Sequence, residues 1–262
     1  MAERIAHLES DDDARRDALG RAARLATQLG QHPRAIALWE TRVKAGADDA
    51  EALDGLVDLL DRVGDSERLA QVLELRARSS TGVESRRADR VRVAKLLGDV
   101  IRRPGDAIES WRGVERDFGD ADDAALALSA LLRQTARWPE LAAMLERRVE
   151  STAEATTRAE LLRQLGDIHR NQLGAHELAV ATYARTLEVD ARNAGARAGL
   201  QVLANEGTHR AAAVGVLLGA LRACDDWQAL LELTSHRLLA ATTDDTKLSV
   251  LLEAHNNFAR CR

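Results

Sequence analysis

A chain of 262 residues, 30% charged and only 3% aromatic, carries a formal net charge of −5 and three prolines. It is long enough to bury a substantial core, and its acidic balance gives no reason to expect nucleic acid, whose binding usually needs a basic face. Good helix formers run nearly throughout, so the chain is expected to be all-α with almost no strand. The opening MAERIAHLESDDD is too polar for a signal peptide, and no run reaches the roughly 18 apolar residues of a membrane span. Cys224 and Cys261 stand far apart and form no metal or redox spacing. These features predict a cytoplasmic protein. Three of the 37 basic residues are lysine, and this arginine and alanine bias points to a GC-rich bacterial genome.

Taken in chain order, residues 2–9 read as the tail of a second-position helix. Apolar spacing then predicts helices near 13–29, 33–45, 49–62 and 66–79. Breaks fall at Gly30 to Pro33, Gly46 to Asp48 and Gly64-Asp65. Pro33 and Pro139 suit a first helical turn, and Asp48, Asp49, Asp120, Asp190 and Asp226 stand where N-caps are needed. Glycines 30, 64 and 174 suit left-handed helix ends. The same pattern recurs to about residue 151, and a third unit begins near 155 with four extra residues, Asn171 to Gly174. Beyond Leu203, THRAAAVGVLLGALRAC reads as one added helix, after which WQALLELTSHRL around Trp227 resembles WPELAAMLERRV around Trp138.

The period behind this reading is 72 residues, the spacing of Trp39, Trp111 and Tyr183. Each follows an alanine by one helical turn, namely Ala35, Ala107 and Ala179, so that a small residue and a large ring share one face. The same shift aligns Ala52, Ala124 and Ala196; Leu56, Leu128 and Leu200; and Leu59, Leu131 and Leu203. Leu69 and Leu73 fall on Leu141 and Leu145, and Glu74 and Arg76 on Glu146 and Arg148. Each unit divides into halves of about 36 residues, one helix pair per half. Units of about 13–83, 84–154 and 155–262 make up a single helical repeat domain spanning 1–262.

Within these units, Leu162-x2-Leu165-Gly166-x2-His169 followed by Ala179-x3-Tyr183 and Leu187 resembles the tetratricopeptide repeat (TPR) pattern. Weaker copies are Leu19-x2-Ala22-Ala23 with Ala35-x3-Trp39, and Leu53-x2-Leu56-Val57 with Leu69-x3-Leu73. The terminal proline of the pattern is replaced by Ala191, and the halves run longer than the family's repeat. The resemblance covers nearly the whole chain and implies a right-handed α-solenoid of antiparallel helix pairs. The helical tail at 2–9 and the closing helix KLSVLLEAHNNFARCR look unfinished as array ends. A segment of a longer array is therefore expected, or an array whose ends pair with another chain and let copies associate end to end.

No phosphate loop, nucleophile elbow or dinucleotide fingerprint is present. His169, His176 and Glu177 form the tightest histidine grouping without zinc spacing, so no metal and no cofactor is predicted. The acidic runs Asp11 to Asp13, Asp122-Asp123 and Asp244-Asp245 are read as helix-start carboxylates and not as catalytic pairs. Trp39, Trp111, Trp138 and Trp227 are read as core. The TPR resemblance implies that the first helix of each pair lines an inner groove. Carried across, its positions are Glu51, Asp54, Asp58 and Asp61, then Arg92 and Asp99, then Arg163, Asp167, Arg170 and Asn171. The function so implied is a non-enzymatic scaffold that holds a partner peptide or helix, without nucleic acid or membrane. The alternative is a helical scaffold or regulatory part of a larger enzyme or signalling protein.

Overall fold

The computed structural model describes residues 11–260 except Asp120 and Gly207. The helical tail at 2–9, the cap at Asp120 and Cys261 lie outside the described residues. Within them every regular element is a helix, and no helix is long and apolar enough to cross a membrane. The chain divides into two compact units, Met1–Thr135 and Ala136–Arg262.

In the first unit, α1 (Asp12–Gln28), α2 (His32–Ala45), α3 (Ala50–Val63) and α4 (Ser66–Ser79) follow one another. They are succeeded by α5 (Val83–Lys95, widening into a π-type turn at Leu96–Val100), α6 (Pro104–Phe118) and α7 (Asp122–Gln134). Each packs on its predecessor, as short connections between apolar-striped helices demand. The core joins Leu53, Leu56 and Leu60 of α3 to Ile36 and Trp39 of α2 and to Leu69 and Leu73 of α4. Gly64 ends α3 with φ of 74°, the Asp65 amide returns to the Leu60 carbonyl at 3.0 Å, and the Asp65 carboxylate then caps α4. One glycine and one aspartate thus make a complete helix-to-helix turn.

The second unit contains α8 (Trp138–Ser151), α9 (Ala155–Asn171), α10 (His176–Val189), α11 (Ala194–Asn205) and α12 (Arg210–Ala223). It closes with α13 (Trp227–Glu232), α14 (Thr234–Ala240) and α15 (Asp244–Arg260). Its core runs from Ala179 and Tyr183 through Leu200 and Leu203 to Leu217, Leu221 and Leu230. The added helix after Leu203 forms as expected. The segment after Trp227 differs from the sequence reading: it is two short helices meeting at Leu233. The Thr234 hydroxyl donates to the Leu230 carbonyl across this junction.

Several caps are corrected. Asp49 and Asp226 cap α3 and α13, and Asp11 caps α1. Asp190, however, follows the end of α10, and its carboxylate accepts from the Arg192 amide; Asn193 caps α11. Asp122 and Asp123 sit inside the first turn of α7. Asp244 and Asp245 likewise begin α15 after a reciprocal Thr243–Thr246 box. Carboxylates in a first turn still face the positive end of the helix dipole. Trp39 and Trp111 are core, but Trp138 and Trp227 are only half-buried, because each opens a helix at its exposed first turn.

The 72-residue period reaches the backbone. Gly30, Arg102 and Gly174 all take positive φ (69°, 62° and 61°), as do Gly64 (74°) and Ala136 (54°). The geometry is retained where glycine is not. A left-handed non-glycine residue costs roughly 1–2 kcal/mol, a strain accepted here to preserve the turn between helices.

Candidate functional site

The recurring aromatics occupy sockets made by small residues. Tyr183 is fully buried and lies between Gly166 of α9 and Gly199 of α11. A Cβ at Gly166 would come within 2.6 Å of the ring, and one at Gly199 closer still. Trp39 lies against Gly55 of α3 in the same way, at 2.7 Å. Shifted by 72, Gly55 becomes Ala127 and then Gly199, and Gly166 corresponds to Ala94 and Ala22. The small partners were thus present in the sequence at the same period as the rings. At Trp39 and Tyr183 a glycine on the helix that follows lets the helices close around the ring, and Ala127 holds the corresponding position after Trp111.

Inside its socket the Tyr183 hydroxyl donates to Asp167 at 2.6 Å, and Asp167 also receives Arg163 at 2.5 Å. Burial, reinforced by the neighbouring carboxylate, pushes the phenol well above its ordinary range. Tyr183 is the only tyrosine in the chain, so phenolate absorbance reports on it alone. In the native protein that absorbance should rise only above the usual phenol pKa of about 10. Because the folded value is raised, the stability linked to it is intact below about pH 10 and is lost as pH climbs beyond. A native titration at the ordinary value would contradict the buried, carboxylate-bonded phenol.

Of the groove positions, Glu51, Asp54, Asp58 and Asp61 form one exposed row along α3. Most of them are held by arginines of other helices. Glu51 receives Arg24 of α1 and, at 2.8 Å, Arg42 of α2. Asp54 receives Arg76 of α4 at 2.8 Å, and Asp61 receives Arg92 of α5 at 2.6 Å. Arg87 continues the series from α5 to Asp123 of α7 at 2.6 Å. The row is therefore one side of a charge ladder that ties successive first helices together. Its carboxylates stay open to water, with side chains 47%, 65% and 59% exposed at Glu51, Asp54 and Asp61. Asp99 is exposed on the π-type turn.

The second-unit positions are a separate group. Arg163 forks onto Glu160 and Asp167 of its own helix. These carboxylates raise its pKa further against the opposing effect of burial. Arg170 has a buried Nε without a partner, and Asn171 is exposed at the end of α9. His169 meets the Thr182 hydroxyl at 3.2 Å, and burial lowers its pKa. His176 instead faces Glu206 and His209. Among the described residues no group of three or more histidine, cysteine or acidic side chains could hold a metal ion.

The arginines of the ladder were missed because their partners lie on other helices, 9 residues away for Arg42 and 22 to 36 for Arg24, Arg76 and Arg87, and no local pattern pairs them. Two of them build buried joints. Arg42 reaches Asp49 through two bonds of 2.8 and 2.9 Å and stacks over Trp39 at 5.3 Å. Arg76 grips the buried Asp89 at 2.9 and 2.5 Å. The latter joint floors a cleft of about 520 Å³ in the first unit. Asp48, Asp54, Ser79, Ser80, Thr81 and Ser85 complete its walls.

No family model matches the chain, and no curated protein matches it. Among solved structures, the C-terminal part of a TPR repeat-containing protein from Cytophaga hutchinsonii is 12% identical. That match covers 90% of this chain and 93% of that one, with a TM-score of 0.41. The TPR2AB-domain:pHSP90-complex of yeast Sti1 is 14% identical, covering 93% and 97%, at 0.38. The P58(IPK) TPR domain is 10% identical, covering 100% and 74%, at 0.36. Likeness at this level carries no function across. The chain's own helices, each packed on the one before it within its unit, give it an all-α fold of consecutive helix pairs.

Proposed function

We propose that this protein is a non-enzymatic scaffold that holds an extended or helical segment of a partner protein along the first-helix face of its first unit. The observation that carries this reading is the solvent-open row Glu51, Asp54, Asp58 and Asp61, in which Glu51, Asp54 and Asp61 are held in place by cross-helix arginines. A carboxylate has about four acceptor sites. Asp54 and Asp61 each engage one arginine through a single oxygen, so a lysine or arginine of a partner can share them. Fixing the acceptors beforehand lowers the entropy lost on binding.

The second-unit positions Arg163, Asp167, Arg170 and Asn171 would meet a mixed-charge stretch. The partner so described is a protein or peptide and not a nucleic acid or membrane, in keeping with the net charge of −5, and a cytoplasmic setting suits it.

The test starts from peptides selected for binding to the whole chain from a random display library. Selected sequences should be enriched in lysine and arginine. Changing Asp54, Asp58 and Asp61 together to lysine should weaken their binding at least tenfold, about 1.4 kcal/mol, with the helical signal retained. The loss should shrink at high salt, where exposed charges are screened. Unchanged binding by the reversed variant would remove this surface from the function.

A further inference from the structure

The cleft at the start of the α3 row holds an excess of negative charge. Its one cation, Arg76, is already engaged: Nε and Nη2 grip Asp89, and Nη1 donates to a single oxygen of Asp54. Three carboxylates of the cleft, Asp48, Asp54 and Asp89, thus share one guanidinium. Asp89 is closed inside that joint, its side chain 6% exposed, whereas Asp54 faces water with its other oxygen. Asp48, in the turn before α3, is exposed and forms no ion pair among the described residues.

The rest of the wall decides between ligands. Ser80, Thr81 and Ser85 supply hydroxyls from the connection between α4 and α5 and from the first turn of α5, and only Ala50 and Ala88 are apolar. An apolar group would take water from these polar walls without replacing its hydrogen bonds. An anion would meet Asp48 and the open edge of Asp54 at close range. A cation carrying several N–H donors instead finds acceptors around it. The cleft, of about 520 Å³, is of the size that encloses a whole side chain and more than a bare ion needs.

We propose, on the footing that the α3 row binds a partner, that this cleft is its anchor: it takes the side chain of one lysine or arginine of the partner, with the charged head between Asp48 and Asp54. Asp58 and Asp61 lie further along α3 and outside the cleft. At 1.5 Å per residue, Asp61 is about 10 Å beyond Asp54 along the helix axis. The anchored residue therefore stands at one end of the partner's basic stretch, and the remaining basic residues run along α3.

Peptides selected for binding to the whole chain are the probe. Asp48→Asn removes a charge outside the row and should weaken them about fivefold, the upper range for an exposed ion pair. Glu84→Gln, an equal loss of charge at an exposed position of α5 outside the cleft, should leave binding unchanged. Ala88→Arg hangs a basic side chain from the cleft's own wall and should weaken binding about tenfold by filling the site. Each basic residue of the peptide is then changed to norleucine in turn. Only a terminal one should couple to Asp48, its loss and Asp48→Asn together costing less than the two effects combined. Reversal of Asp58 and Asp61 to lysine separates the two readings. If it weakens binding while Asp48→Asn and Ala88→Arg do not, the row stands and the anchor is overturned. An Asp48→Asn effect no larger than that of Glu84→Gln, or coupling of Asp48 to no terminal basic residue, would overturn the anchor as well. No loss on reversing Asp58 and Asp61 would remove the row, and with it the order proposed for the partner.

Discussion

Replacing Tyr183 by alanine should lower the unfolding free energy of the second unit by about 3–5 kcal/mol, the range for truncating a fully buried aromatic. The ring fills a socket whose walls are glycines, and glycine cannot grow inward to close the void. The lost hydroxyl also leaves Asp167 without one of its two donors. The converse change is equally informative. Gly199→Val leaves the ring in place but inserts methyls where even a Cβ would overlap it, and overpacking of this kind typically costs about 1–3 kcal/mol. Urea titration followed by far-ultraviolet circular dichroism measures both. A Tyr183→Ala loss under about 1 kcal/mol would mean that the socket collapses freely, contrary to its packing on α9, α10 and α11.

Removing Arg42 should have an effect of similar size in the first unit. Its guanidinium and the Asp49 carboxylate are each only 6% exposed. Arg42→Ala would leave the buried Asp49 with the more distant Arg16, at 3.7 Å, in place of its forked partner, and a loss towards the 3–5 kcal/mol of a broken buried pair, about 3 kcal/mol, is expected. Asp49 also caps α3 through the Ala52 amide, so the joint couples the end of α2 to the start of α3. A change of both residues to alanine should cost less than the two single changes summed, since the second removes a charge already stranded by the first. Chemical denaturation of the three variants gives the coupling directly. Additive losses would show that the two side chains act separately.

Much of this fold was legible because it is built from local signals. Helix bounds in the first unit follow apolar spacing, and Gly30, Gly64 and Gly174 end helices where a left-handed residue is needed. The repeat also made Trp39, Trp111 and Tyr183 recognisable as core before any coordinates. The misreadings arose where several residues compete for one role. Asp190 and Asn193 both suit a cap, and the choice of Asn193 depends on where α10 stops. Trp227 matches Trp138 by position, yet the helix it opens ends after six residues and a second short helix starts at Leu233, a difference that no period reveals.

The candidate surface was legible only in part. The row on α3 was implied by the TPR resemblance, and helical spacing agrees in setting residues 51, 54, 58 and 61 on one face. That these carboxylates are bound by Arg24, Arg42, Arg76 and Arg92 depends on which helices lie beside them, and such pairing is long-range. The consequence is physical. The surface is a lattice of fixed opposite charges with open carboxylate edges, and a bare acidic patch would be a poor description of it.

Hydrogen–deuterium exchange of the whole chain, with and without a selected lysine-rich or arginine-rich peptide, tests the binding account most directly. Protection is predicted on α3 and the facing part of α5, residues 50–63 and 83–100, and should be lost when Asp54, Asp58 and Asp61 are changed to lysine. Protection confined to other helices, or unaffected by those substitutions, would contradict it.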